Sequence, residues 1–166
     1  MISILKDEQF RTAVLNAING ANREILIATY KMDAKDKLST RHLNAIVEAL
    51  HRAAKRGVKV RCLLNMDKEN STIGRINMRT KALLIEKGIL VKTGPERRTY
   101  HSKIIIVDEC LAFVGSHNLS ESSLCRNFEV SLMIGGPGSR DEAHLIGSKV
   151  IHDLRQIYLK EWEKGK

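Results

Sequence analysis

The chain is short of aromatic residues, of cysteines and of long apolar runs, and each shortage closes off a class of protein. Aromatics make up 4% of the 166 residues against 43% for hydrophobic residues as a whole, so the core must be aliphatic. The length suits one domain, residues 1–166, with a substantial interior. No apolar stretch approaches the ~20 residues that a membrane span needs. The N-terminal MISILKDEQF carries Asp7 and Glu8 where a secretory signal needs an apolar centre. A cytoplasmic protein without stable membrane association is therefore expected. Cys62, Cys110 and Cys125 are odd in number, dispersed and without a C-x-x-C pair. That argues against a disulfide framework and against zinc, and the three read as small buried hydrophobes. No carboxylate cluster resembles a Mg²⁺ or Ca²⁺ site, so no metal and no other cofactor is expected. Internal repeats, low-complexity segments and interdomain linkers are also lacking.

Acidic charge is short as well. Lys and Arg number 28 against 19 Asp and Glu, a net charge of +9, with a pI near 9.6. Such an excess favours a polyanionic partner, either nucleic acid or an anionic membrane surface.

What is present alternates between helix and strand. Phe10, Val14, Ala17 and Ile18 have helical spacing within Asp7 to Asn19, and Gly20 is placed to end that helix. Glu24 to Tyr30 reads as a buried strand, and Lys31 to Leu38 as a loop. Ser39 or Thr40 can cap a second helix with Leu43, Ile46, Val47 and Leu50 on one face and Gly57 just beyond it. Val58 to Leu64 reads as a strand, Ile73 to Leu84 as a third helix stopping at Gly88, and Ile89 to Val91 as a short strand. Three such alternations predict an α/β layer with parallel strands. Later, Leu119 to Arg126 reads as one short helical turn and Asn127 to Ile134 as a strand. Gly135 to Gly138 reads as a turn. Ser139 and Glu142 form a capping box for a last helix, whose expected apolar face is Ala143, Ile146, Val150, Leu154 and Ile157, with Trp162 near its end.

The chemistry concentrates in His101 to Asn118, HSKIIIVDECLAFVGSHN. Four consecutive β-branched residues, Ile104 to Val107, read as a buried strand. Alternation puts His101 and Lys103 on one face and Asp108 on the other, where it caps or pairs within the fold. A turn around Glu109-Cys110 joins this strand to Leu111–Val114 as a hairpin. The hairpin returns Ser116 and Asn118 to the end that carries His101 and Lys103. A nucleophile or acid/base, a fixed cation and two neutral hydrogen-bonding groups then converge, a set suited to an anionic substrate whose charge grows in the transition state. A strand histidine beside a solvated edge lysine would explain His101 and Lys103 alone, not Ser116 and Asn118 at their spacing.

This pattern resembles the HxK(x4)D(x6)GSxN signature of the phospholipase D superfamily, with every specified position present, Asp108 and Gly115 included. RGVKVRCLL and KGILVKTG look like the helix–Gly–strand joins of such domains, so the resemblance covers most of the chain. It implies a mixed β-sheet flanked by helices, the phospholipase D/nuclease-like α/β fold, with one motif per chain. It also implies metal-independent phosphodiester chemistry through a covalent phosphohistidine. His101 would attack phosphorus, Lys103 would hold the non-bridging oxygens, and Ser116 and Asn118 would donate hydrogen bonds to them. Glu129 sits where the family places an acidic residue that orients the catalytic histidine. His117, at the variable position of GSxN, reads as a packing residue. In-line displacement needs a second histidine for the leaving group, and His101 alone is followed two places later by lysine. A homodimer with its active site across the twofold axis is therefore expected.

For the substrate, the charge favours nucleic acid, DNA or RNA. Arg97 and Arg98 precede the signature strand and are candidate backbone contacts, with Arg75, Arg79 and Lys81 extending the track. A lipid phosphodiesterase is the alternative, although no amphipathic ridge or aromatic loop suggests one. A catalytically silent nucleic-acid-binding module is the third reading.

Overall fold

The computed structural model describes residues 1–35, 38–66, 68, 71–95, 98–136 and 142–166, without the side chains of 142–145. Its strands are β1 (Ile2–Lys6), β2 (Glu24–Thr29), β3 (Lys59–Leu64), β4 (Leu90–Thr93), β5 (Lys103–Val107), β6 (Leu111–Gly115) and β7 (Val130–Gly135). They form one mixed sheet in the order β1-β7-β6-β5-β2-β3-β4. β2, β3 and β4 run parallel. β5, β6, β7 and β1 add to the other side of β2 as antiparallel neighbours. The helices are α1 (Glu8–Gly20), α2 (Arg41–Lys55), α3 (Thr72–Glu86), the short α4 (Glu121–Cys125) and α5 (Glu142–Lys164).

The sheet buries both faces. Phe10, Val14 and Ile18 of α1, Leu43 and Ile46 of α2 and Leu84 of α3 pack against Ile25, Ile27, Val60, Cys62 and Ile105. On the opposite face Ile151 and Tyr158 of α5 pack against Leu26, Ala28, Leu63, Ile106 and Ile134. β2 lies centrally and is buried along its whole length, which explains its unbroken apolar run. Each of its large aliphatic side chains contributes about 1.5–3 kcal/mol by leaving water. Its one charged residue, Glu24, is tolerated because Arg155 Nε pairs with it at 2.5 Å. α2 and α3 end as their glycines suggest. Gly57 and Gly88 take φ of +89° and +76°. Val58 N–H and Ile89 N–H then reach back to the Ala53 and Leu84 carbonyls.

Four features differ from the sequence expectations. β1 was not anticipated; it is an edge strand held by β7. β7 starts at Val130, not Asn127, because Glu129 N–H turns to Asp7 Oδ1 (3.0 Å). Thr40 stands at the N-cap of α2, but its hydroxyl donates to the Lys35 carbonyl (2.8 Å). The N–H groups of His42 and Leu43 in the first turn are accepted instead by Glu121 of α4, at 3.2 Å each. Finally, α5 buries Ile151 and Tyr158, with the expected Leu154 packed beside them, while the expected Ile146, Val150 and Ile157 stay exposed. The Ser139–Glu142 capping box and the Ala143 side chain lie outside the described residues. No helix among the described residues is long and apolar enough to cross a membrane.

Candidate active site

The hairpin of β5 and β6 sets the site. Its turn puts Asp108 and Glu109 at φ of +52° and +57°, and Cys110 N–H closes it on the Val107 carbonyl (3.1 Å). Val107 stands opposite Leu111, so the loop is the three residues Asp108, Glu109 and Cys110. Register then follows, with Ile104 opposite Val114. At the open end of the hairpin, His101, Ser102, Lys103, Ile104, Val114, Gly115, Ser116 and Asn118 line one open cavity of about 470 Å³. The structure thus brings His101, Lys103, Ser116 and Asn118 together. Gly115 is required by the close approach of β7, since a Cβ there would collide with Ser131 and the Val130 carbonyl. Asp108 lies at the other end of β5, where its carboxylate accepts from the backbone N–H groups of Asn22, Arg23 and Glu24 at 2.8–2.9 Å.

Within the cavity Lys103 Nζ is anchored by the His101 carbonyl (2.7 Å) and stands 2.9 Å from His101 Nδ1. It makes no ion pair among the described residues. Desolvation holds its ammonium below the ordinary lysine value, opposed by the charge of Glu129. Tyr30 was missed by sequence reasoning. Its ring packs at 4.6 Å against the imidazole and lies 5.5 Å from Lys103 Nζ. Its signal was the register, since the preceding Thr29 pairs with Lys103. Asn118 is fixed twice, by Lys31 N–H to its Oδ1 (3.2 Å) and by its own N–H to Ser123 Oγ (3.0 Å). That leaves its amide NH₂ as the donor of a side chain that lines the cavity.

Glu129 stands behind Ser116. Its carboxylate accepts from the hydroxyls of Ser116 and Ser123, 2.5 Å each, and from Asn127 Nδ2 at 3.2 Å. None of these bonds reaches His101. Burial pushes the Glu129 carboxyl up, but the three side-chain donors and the nearby His117 outweigh it and leave the net value below the ordinary one. The Ser116 proton is thereby committed to Glu129. His117 is buried, stacks on Phe10 at 4.1 Å and shares a 2.7 Å hydrogen bond with Ser131.

Of the expected basic track, Arg98 pairs with Glu161 (3.2 Å) and lies 5.3 Å over the Tyr100 ring. Arg98 and Glu161 line a second cavity of about 230 Å³ that shares His101, Ser102 and Ile104 with the first. Arg79 pairs with Asp33 (2.9 Å) and Lys81 with the Lys166 carbonyl (3.2 Å). Arg97 lies outside the described residues.

Known proteins resemble this chain in sequence and in fold. A family model described as "Cardiolipin synthase, PLD-like domain" matches residues 14–156. Cardiolipin synthase A of Buchnera aphidicola subsp. Acyrthosiphon pisum (strain APS) is 30% identical over 151 residues, which cover 90% of this chain and 29% of that protein. Cardiolipin synthase A of Serratia proteamaculans (strain 568) is 26% identical over 158 residues, covering 95% and 31%. The chain therefore spans about three-tenths of the length of these curated relatives. Among solved structures, Nuc from Salmonella typhimurium, described as a phospholipase D family member, superposes with a TM-score of 0.77 at 21% identity. That match covers 100% of this chain and 96% of Nuc. NucT from Helicobacter pylori gives 0.72 at 18% identity, covering 99% and 97%. At these identities the structural likeness shows a shared fold.

Proposed function

The chain belongs to the phospholipase D-like family, and from that premise we propose that residues 1–166 act as a single-motif phosphodiesterase domain that cleaves nucleic-acid backbones as a homodimer. The observation that carries the reading is the cavity in which His101, Lys103, Ser116 and Asn118 meet. In the proposed reaction an imidazole nitrogen of His101 forms a bond to phosphorus as the bond to the leaving oxygen breaks. The partner's copy of the same histidine gives that oxygen its proton, then takes a proton from water. The resulting hydroxide attacks phosphorus, breaks the P–N bond and frees His101. Lys103 and the Asn118 amide offset the charge on the non-bridging oxygens. Glu129 is a positioning residue that acts through Ser116.

The dimer has a surface that suits it. Ile4, Leu132, Val114 and Ile104 stand opposite one another on successive strands, so they form one row on one face of the sheet. The row runs from Ile4, 71% exposed, and Leu132, 40% exposed, into the cavity that Val114 and Ile104 line. A second copy on this face covers apolar surface and meets the site at once. The net charge of +9 supports nucleic acid over a neutral substrate. The lipid reading rests on the named sequence relatives, which are cardiolipin synthases.

The test is one panel. Plasmid, single-stranded DNA, RNA and anionic phospholipid vesicles, each labelled at phosphate, are incubated with the protein in excess chelator and acid-free quench. Cleavage of nucleic acid with label on histidine is expected. Turnover of lipid alone would replace this reading with the lipid one.

A further inference from the structure

Away from the cavity, the described residues hold one place where three metal-ligating side chains converge, His42, Glu121 and Cys125. His42 lies in the first turn of α2, and Glu121 and Cys125 are one turn apart on α4. His42 Nδ1 is 2.5 Å from Glu121 Oε1, Cys125 Sγ is 3.8 Å from the same oxygen, and all three ligand atoms lie within 4.8 Å of one another. The side chains of His42 and Glu121 are 23% and 13% exposed, so the group is ordered by packing yet open to an ion.

Tetrahedral zinc, with bonds of ~2.0–2.1 Å to nitrogen, ~2.0–2.2 Å to oxygen and ~2.3 Å to sulfur, needs its donors roughly 3.3–3.7 Å apart. The sulfur–oxygen separation is already close to that. The nitrogen–oxygen separation is shorter because the two share a hydrogen bond, and parting them takes less than about 1 Å. Glu121 supplies only Oε1 to such an ion. Its Oε2 stays on the N–H groups of His42 and Leu43, so the start of α2 remains capped. One thiolate and one carboxylate neutralise a dication. Burial and then the Glu121 carboxylate raise the Cys125 thiol above its ordinary value, and the charges of Arg126 and Arg11 offset them only in part, so the ion must displace the thiol proton as it binds. Nitrogen, sulfur and oxygen together select a borderline ion over Mg²⁺ or Ca²⁺.

We propose that His42, Glu121 and Cys125 bind a zinc-class divalent ion that clamps α4 to the start of α2. The clamp is separate from the phosphodiester chemistry and bears on it through position. Ser123 lies between Glu121 and Cys125 on α4 and holds both the Asn118 N–H and the Glu129 carboxylate. Linear spacing hid this group, because α2 and α4 meet only in the folded chain.

The test uses the full chain, stripped by chelator and titrated with Co²⁺. A single equivalent should give a thiolate-to-metal absorption band and tetrahedral visible bands, both displaced by Zn²⁺, and Zn²⁺ should raise the melting temperature. Cys125→Ser should lose the charge-transfer band and the thermal shift while keeping its far-UV spectrum. His42→Gln should weaken binding on the order of tenfold or more. A wild-type chain without the thiolate band overturns the proposal, as does a band that survives Cys125→Ser, which would place the ion on Cys62 or Cys110.

Discussion

At one end of β5 Asp108 accepts hydrogen bonds from three successive backbone N–H groups. At the other, Lys103 faces His101 and makes no ion pair among the described residues. The two ends are separated by roughly 16 Å of strand. Around Asp108 charge is matched. Arg155 pairs with Glu24 and Glu109, and the Arg23 guanidinium donates to the Asp108 carbonyl. Around Lys103 a cation, an imidazole and the Asn118 amide line an open cavity, and the nearby carboxylate of Glu129 is occupied by Ser116, Ser123 and Asn127. The first arrangement stabilises the fold. The second holds a positive charge that makes no ion pair among the described residues, which favours an incoming anion and contributes little to stability. One strand of the signature thus carries a structural residue at one end and the proposed chemistry at the other.

The functional end of β5 depends most on His101. His101→Ala should lower turnover on the order of 10⁴-fold or more, since each dimeric site loses nucleophile and general acid together. Its denaturation midpoint should stay near wild type, because the ring is exposed. Single-turnover assays beside urea melts check both, and retained turnover would remove His101 from the mechanism. Lys103→Ala comes next, with a loss of about 10²–10³-fold in kcat, the usual cost of removing one transition-state charge contact. A change confined to KM would show that Lys103 holds the substrate before reaction only.

The stable end of β5 depends on Asp108. Asp108→Ala leaves three N–H groups without their acceptor and should cost about 2–3 kcal/mol in stability, with kcat per folded molecule unchanged. Desolvation raises the Asp108 carboxyl, but the N–H groups of Asn22, Glu24 and Arg23 overcome it and hold the net value below the ordinary one. A depressed folded value means that the stabilisation is complete above the unfolded value, about 3.9, and is lost as pH falls through the folded one. Urea melts across that acidic window should show wild type losing an increment that Asp108→Asn lacks. Equal slopes would mean that the three N–H groups do not favour the charged form.

The same contrast explains how much was legible in the sequence. The signature strand, the hairpin and the outward direction of Asp108 follow from a β-branched run and a two-residue alternation, both local. The ends of α2 and α3 follow from Gly57 and Gly88, also local. β1 was not legible, because its partner β7 is remote and its Ile2 and Ile4 face solvent in a single chain. The buried face of α5 was legible only at Leu154. Ile146, Val150 and Ile157 form one apolar stripe and Ile151, Leu154 and Tyr158 another, and periodicity alone does not choose between two. The sheet chooses, because Ile151 and Tyr158 meet Ile134 and Leu63. In the site, residue types were readable and their partners were not. The carboxylate of Glu129 meets Ser116 and Ser123 through the approach of α4, and Tyr30 meets His101 through the β2–β5 register.

The smallest expected effect concerns Arg98, which sits between the two regimes. It lies near the cavity, as a backbone contact should, yet it is paired with Glu161 and lies over Tyr100. Glu161 also accepts from Lys164 Nζ at 2.7 Å and from the Tyr100 hydroxyl, so its carboxylate is well supplied with donors. If Arg98 leaves Glu161 for a phosphate, Arg98→Ala should reduce the slope of log affinity against log salt by about 0.7–0.9, the value of one released counterion. If the ion pair persists in the complex, Arg98→Ala should leave that slope alone. Glu161→Gln decides between these. It removes the competing carboxylate charge, so an Arg98 that serves phosphate should bind nucleic acid more tightly in this variant, and Arg98→Ala in the same background should cancel the gain. Exposed ion pairs are worth ~1 kcal/mol or less, so the gain should be fivefold at most. Salt titrations of the four proteins on one oligonucleotide measure every term. A Glu161→Gln chain that binds no more tightly at low salt would assign Arg98 to the matched, structural side of the molecule.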